Sequence, residues 1–481
     1  MAPQLKLRDF FLASLLLCSS SAAPLSSNIN GPPSATGSLY GSEALLGDDG
    51  AGIDTADSAI VSNYDEAPGQ KDDADLGLYL DFTKLSNPQP LRGSKGATDP
   101  GPRNYRYDAI NSDALAPPGT DNGDVPQAKW PLGLSHNRLG LQGAGWARQQ
   151  NEAVLPIATD MAGVDMRLAP HAYRELHWHK ANEWSLMLNG SVRIQAMNEN
   201  GETFVDDLNA GDVWFFPSGV PHSIQAFDEG CEFLLVFDDG SFSEEGTFLA
   251  SELIQRNPKE VIAKNLQTDV SALDDIPDGQ LYIFNGTPAP HNISAQNVTG
   301  PAGYLPVSDS YSYHFSQQDP YTVDAGTVKI IDPTTFPIAS KFSAALVTVK
   351  PGAMREIHWH PTSDEWNFFI SGSGRVTAFD APEASRTFDF QAGDVGYIPV
   401  PQSHYVENVG TEDLVFLEVL QSDKFTDISM NQWLSLTPPQ IIEDTLHLPA
   451  KVVAAIPKWK QYIVPGSVDL TETNFTAATS T

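Results

Sequence analysis

Two short runs hold most of the residues in this sequence that could do chemistry. His177, His179 and Glu183 form one set, and His358, His360 and Glu365 form the other. Alternate residues of an extended strand project from one face, so each histidine pair can present two imidazoles to a single point while Trp178 and Trp359 turn away. His222 and His404 each return from a Gly-Asp turn, at Gly211-Asp212 and Gly393-Asp394, and supply a third imidazole. Three imidazoles and a carboxylate make a mixed nitrogen and oxygen donor set that leaves two exchangeable positions on an octahedral cation. That favours Mn or Fe over a structural Zn. Affinity order alone favours Cu or Zn, so the donor set does not name the metal. A lone histidine pair would more simply be core or surface. Eight donors repeated in kind at matched spacing point to two metal sites.

The two runs belong to a duplication. Arg174 and Arg355 stand 181 residues apart, Gly211 and Gly393 stand 182 apart, and the helix-start pairs Asn257-Pro258 and Thr437-Pro438 stand 180 apart. Asn257 and Thr437 read as N-caps, Pro258 and Pro438 as first helical residues, and Glu260 and Gln440 as their capping partners. Around them the texture is that of strands. Residues Val164 to Leu168 and Val192 to Ala196 alternate, and Val213 to Phe216 is a continuous apolar run. A whole domain, strands and trailing helices together, has been copied. The expected fold is therefore all-β, with short helices after each β-domain. A chain of 481 residues, 41% hydrophobic, suffices for two cores.

The N-terminus sets Lys6 and Arg8 before an apolar run from Phe10 to Cys18, followed by small residues through Ala22. This is the pattern of a cleaved secretion signal, and its apolar core is well short of the ~20 residues a bilayer demands. Sequons at Asn189, Asn285, Asn292, Asn297 and Asn474 suit a secreted glycoprotein. From Ala23 to about Gly101 the composition is rich in Ser, Gly, Pro, Asp and Ala without an apolar period, which predicts a propeptide or acidic arm with no packed core. The expected organisation is a signal peptide over 1–22, the acidic segment and arm over 23–125, one β-domain over 126–300 and a second over 301–481. Of the two cysteines, Cys18 lies in the signal, so Cys231 has no partner for an internal disulfide and reads as a small buried hydrophobe. A net charge of -33 opposes nucleic acid and anionic membrane as partners. An anionic substrate likewise needs a locally positive pocket.

Arg174 and Arg355 are the candidate sources of that charge. Each lies three residues before its first histidine, an odd spacing that turns it away from the pocket unless the strand bends. If the strand bends, each guanidinium can clamp a carboxylate bidentately; if it does not, each forms a rim ion pair with Glu175 or Glu356.

From about Trp130 to about Gly466 the chain resembles the bicupin oxalate decarboxylases, of the secreted fungal type. The resemblance rests on Arg174, His177, His179, Glu183 and Gly190 with Gly211, Pro217, Gly219 and His222, and on the matching set from Arg355 to His404. It extends to the segment Phe237 to Glu244, which is similar to the family's mobile lid. The resemblance implies two jelly-roll (double-stranded β-helix) barrels and a carboxy-lyase that splits oxalate into formate and carbon dioxide with two Mn2+ per chain and dioxygen. By the same resemblance His177, His179, Glu183 and His222 hold one metal, and His358, His360, Glu365 and His404 the other. Arg174 and Arg355 contact substrate, Glu244 is the lid acid of the first site, and Glu418 is the acidic residue of the second. It further implies assembly into a trimer or hexamer.

The sequence departs from the family pattern at His171 and Pro401, which stand in place of motif glycines. It departs again in the lid, which reads Ser243, Glu244, Glu245, Gly246 where Ser-Glu-Asn-Ser is common. No segment equivalent to the lid is evident after His404. An oxalate oxidase releasing hydrogen peroxide and a non-enzymatic metal-binding or storage bicupin are the competing readings.

Overall fold

The structure is a computed structural model describing residues 121 and 125–466. The expected signal peptide and the expected acidic segment through residue 120 lie outside these residues.

The first barrel is built from the strands Gly145–Gln150, Ala162–Leu168, Tyr173–Trp178, Glu183–Met197, Thr203–Asn209, Val213–Phe216 and His222–Phe237. The second follows the same path from Gly326–Ile331 to Leu414–Leu420. Register carries the repeat down to single residues. His177 faces His222 and His358 faces His404 across the sheet, while Glu183 faces Phe237 and Glu365 faces Leu420. Gly211 and Gly393 take φ values of 86° and 87°, a left-handed turn that side chains resist and that aims each return strand back into its barrel. His171, in place of a glycine, adopts the same left-handed region at φ 64°.

Alternation along Glu183–Met197 sends Glu183, Ser185 and Met187 to one face and Trp184 and Leu186 to the other. Trp184, Leu186, Phe215 and Leu234 meet Trp366, Phe368, Tyr397 and Leu417 in an apolar layer between the barrels. Separate clusters fill the two interiors, with Val164, Phe216 and Phe233 in the first and Val347, Phe388 and Phe416 in the second. Strands with both faces buried read as continuous apolar runs, which is why Val213 to Phe216 lacks alternation.

The barrels exchange edge strands. Lys129–Pro131, ahead of the first barrel, pairs with Asp394–Ile398 of the second, and Ser312–Tyr313, ahead of the second, pairs with Val213–Phe216 of the first. Each arm also anchors a Gly-Asp turn. Lys129 Nζ lies 3.2 Å from Asp394, and Ser316 Oγ donates to Asp212 at 2.6 Å.

Helices Ala250–Gln255 and Lys259–Leu266 follow the first barrel, and Met430–Leu436, Pro439–Leu446 and Ala450–Ala455 follow the second. The capping expectation is corrected by one residue: Pro258 and Pro438 occupy the N-cap positions. Asn257 and Thr437 instead donate back to the carbonyls of Leu253 and Trp433 in the preceding helices.

One buried carboxyl makes stability depend on pH. Asp165 is fully enclosed beside Glu232, and burial, partly offset by Glu232 and Arg148, pushes its pKa from 3.8 up to about 7. A carboxyl whose folded-state pKa is raised stabilises the fold below its unfolded pKa, and that contribution is lost as pH rises through the folded value. Asp165→Asn should match the wild type at about pH 4 and exceed it by on the order of 2 kcal/mol at about pH 8, measured by urea unfolding at both.

Candidate metal centres

The strand Tyr173–Trp178 shows how the arginines enter. Its register with His222–Phe237 shifts between Arg174 and His177, and the same shift recurs between Arg355 and His358. This bulge breaks the odd spacing, so arginine and histidine both face inward. The alternative rim pairs do not form. Glu175 accepts from the backbone amides of Ser251 and Tyr282, and Glu356 accepts from Ser429 Oγ.

Both four-residue sets converge. In each, one donor atom from every residue lies within 4.8 Å of the others, and all eight side chains are buried. The orientation of the imidazoles is fixed from behind. Each Nδ1–H donates to a backbone carbonyl: His177 to Glu175, His179 to Ala181, His222 to Val220, His358 to Glu356, His360 to Thr426 and His404 to Gln402. Such bonds leave the Nε2 lone pairs pointing at the carboxylates. His179 Nε2 then sits 3.0 Å from Glu183 Oε2, and His360 and His404 Nε2 sit 2.7 and 2.8 Å from Glu365 Oε2. A proton or a metal ion between the atoms satisfies such contacts, and four buried nitrogen and oxygen donors converging on one point fit a divalent metal. Burial, reinforced by the charge of Arg174 and Arg355, holds the pKa values of His177 and His358 well below the usual imidazole value, which keeps them neutral as ligands require. Burial opposes ionisation of Glu183 and Glu365, but their histidine neighbours outweigh it and hold both carboxyls below the ordinary range.

The two sites differ in what surrounds the metal. In the first, Trp214 Nε1 donates to Glu183 Oε1 at 2.8 Å, leaving Oε2 for the cation. The register-matched residue in the second barrel is Gly396, which has no side chain to donate to Glu365. Arg174 meets a single carboxylate, Glu244 Oε2 at 3.1 Å. Glu244 sits 5% exposed on the segment from Ser243 to Thr247, whose amide is tied to Gln149 Oε1 at 3.0 Å. Beneath it Phe242 stacks on Phe237 at 3.5 Å and meets the His179 ring edge-on.

Arg355 is committed twice. Its Nε pairs with Glu418 Oε1 at 3.0 Å and its Nη2 with Asp427 Oδ2 at 2.5 Å. Lys460 reaches Asp427 Oδ1 at 2.7 Å and Glu356 at 3.2 Å. Burial raises the pKa of Glu418 even though Arg355 opposes it, whereas the charge of Arg355 overcomes burial and holds Asp427 far below its ordinary value. Asp427 and Lys460 were not anticipated from the sequence. The 180-residue offset of the trailing helices maps Asp427 onto Thr247 at the end of the segment that carries Glu244, so the second barrel does carry an acid on the equivalent segment. Tyr282 is a further unanticipated residue. Its ring carries the guanidinium of Arg174 at 4.5 Å, and burial together with the charge of Glu244 raises its phenol pKa well above normal.

Two strand-built barrels, each enclosing three histidines and a glutamate, define a two-barrel metalloprotein of the cupin class. The cupin family model matches residues 138–273 and 313–454. The chain is 46% identical over 377 residues to the oxalate decarboxylase OxdC of Bacillus subtilis (strain 168), covering 78% of this chain and 97% of that one. It is 38% identical over 404 residues to an oxalate decarboxylase of Arthroderma benhamiae, covering 78% and 93%. A solved structure of the Bacillus subtilis oxalate decarboxylase at pH 4.6 superposes with a TM-score of 0.74 at 46% identity, covering 79% of this chain and 98% of that one. Another, from work on the Mn(II) centres of the same enzyme, gives a TM-score of 0.74 at 45% identity, with 79% and 99% covered. The chain belongs to the cupin family, in its bicupin oxalate decarboxylase branch.

Proposed function

We propose that this chain is an oxalate decarboxylase that cleaves oxalate to formate and carbon dioxide in its first barrel, with Mn2+ in both barrels and dioxygen as co-reactant. The observation that carries this reading is Glu244, an acid on a short covering segment that touches Arg174 beside the first donor set. His177, His179, Glu183 and His222 would hold the first manganese, and His358, His360, Glu365 and His404 the second. Manganese with dioxygen, when bound, supplies the one-electron chemistry that weakens the carbon–carbon bond.

The chain's own residues do the rest. Arg174 Nη1 is buried with no hydrogen-bond partner among the described residues, which leaves it to bind a substrate carboxylate. The Glu244 carboxylate takes the proton of mono-anionic oxalate and returns it to carbon once carbon dioxide has left. The segment from Ser243 to Thr247, closed over the site, excludes water during that interval. Arg355 Nη1 is likewise without a hydrogen-bond partner among the described residues, but Glu418 and Asp427 already occupy its Nε and Nη2, so the second site has less of its guanidinium left for an incoming anion. Glu418, with its raised pKa, serves there as an internal partner of Arg355. The decisive assay incubates the manganese-loaded protein with oxalate at mildly acid pH and quantifies formate, carbon dioxide and peroxide together. One formate and one carbon dioxide per oxalate is expected. Peroxide in place of formate would make it an oxidase, and no turnover would favour a storage role.

Secretion and assembly belong to the same reading. The basic and apolar pattern of the first 22 residues supports export, and a secreted chain should begin at Ala23 by N-terminal sequencing. For assembly, the helices after both barrels leave apolar side chains exposed: Leu253, Val261 and Leu266 after the first, Trp433, Leu436 and Ile441 after the second. Two such related faces suit head-to-tail closure into a trimer or a hexamer. Light scattering should give three or six times the chain mass, and Trp433→Glu with Leu436→Glu should reduce it to that of a monomer.

A further inference from the structure

The lid of the first site is held by more than Glu244. Arg138, on the edge strand Arg138–Leu139, lies 3.4 Å through its Nε from Glu245 Oε1, the lid residue next to the acid. The same guanidinium sits 3.7 Å from the centre of the Tyr282 ring, and its Nη2 donates to Gln280 Oε1 at 3.0 Å. Arg138, Gln149, Glu244, Glu245, His136 and Ala147 enclose a cavity of about 50 Å³ at the edge of the lid. Glu245 stands where the lid pattern Ser-Glu-Asn-Ser has an uncharged residue, so that pattern lacks the carboxylate of this ion pair.

An exposed ion pair is normally worth little, because two flexible side chains must be immobilised to make it. Here the arginine is already fixed by the aromatic face and by Gln280, so only Glu245 has to be ordered. The repeat supplies an internal comparison. In the second barrel, register puts Tyr321 in the place of Arg138, against Tyr462, the counterpart of Tyr282. The cation at this position is therefore confined to the barrel that carries Glu244.

We propose that Arg138 is a positioning residue that latches the lid of the first site through Glu245, and thereby sets how often the carbon intermediate is protonated rather than lost to oxygen. The product-partition half of this rests on the oxalate decarboxylase reading above; the latch itself does not. A closed lid keeps Glu244 beside Arg174, and an open one admits water and oxygen before the proton is returned.

The test is a double-mutant cycle of Arg138→Gln, Glu245→Gln and both together, on the manganese-loaded full chain. Two readouts are taken: hydrogen exchange of the amides from Glu244 to Thr247 without substrate, and the ratio of formate to peroxide with oxalate. Each single variant is expected to raise lid exchange about fivefold and the peroxide share to a similar degree, with the double variant no worse than either single one. Arg138→Lys, which keeps the charge but loses the planar stack, should fall between wild type and Arg138→Gln. Unchanged lid exchange in Glu245→Gln, or additive effects in the double variant, would overturn the latch. If the wild type makes no formate, the functional reading fails while the exchange measurement still decides the latch. Normal formate with unlinked exchange effects sinks only the latch.

Discussion

Glu244→Ala is expected to lose formate production by about three orders of magnitude while keeping manganese at both sites, measured by product analysis and metal content on the same preparation. Glu244 is no ligand; its carboxylate lies against Arg174, so its removal leaves all eight donors in place. On the proposed mechanism, what disappears is the proton store beneath the covering segment. The radical left after carbon dioxide departs would then be open to oxygen, so residual turnover should shift toward peroxide. Full decarboxylase activity in this variant would remove Glu244 from the mechanism.

Metal removal should have the largest effect on stability. Each barrel buries three imidazoles and a carboxylate at its centre; His222 and His358 Nε2 have no hydrogen-bond partner among the described residues, and His360 and His404 Nε2 crowd Glu365 Oε2 at 2.7 and 2.8 Å. A cation bound about 1,000-fold below its free concentration adds roughly 4 kcal/mol per site, so stripping both metals should lower the melting temperature by about 10 °C or more. Readdition of manganese should restore it. His222→Ala should lower the manganese content by one ion per chain and abolish turnover, whereas His404→Ala should lose the other ion and retain activity at the first site. Equal loss of turnover in both variants would mean that the two barrels share the chemistry.

The donor sets were legible in the sequence because ligand geometry is local: two histidines on one strand face, a glutamate past a turn, and a third histidine after a Gly-Asp turn, twice over. The all-β duplication was legible for the same reason, since a copied domain repeats its turns and caps. The arginines were ambiguous because a bulge changes which face a residue occupies without leaving a mark in the pattern. Asp427, Lys460, Tyr282 and Arg138 were missed because they reach the sites from segments remote in sequence; Asp427 meets Arg355 across 72 residues. Trp214 was read as one apolar residue among four, and nothing in Val213 to Phe216 reveals that its indole nitrogen orients a ligand.

The exchanged arms bear on how the polypeptide is made. Lys129 donates to the carbonyl of Asp389, a partner 260 residues further along the chain. During translation the first barrel therefore emerges with its leading strand unmatched, and it waits while the intervening residues are synthesised before that strand can dock. Over that interval the strand presents free backbone hydrogen-bonding groups to any neighbouring nascent chain. Expression at lower temperature or with slower initiation should therefore improve the soluble yield more than added metal does.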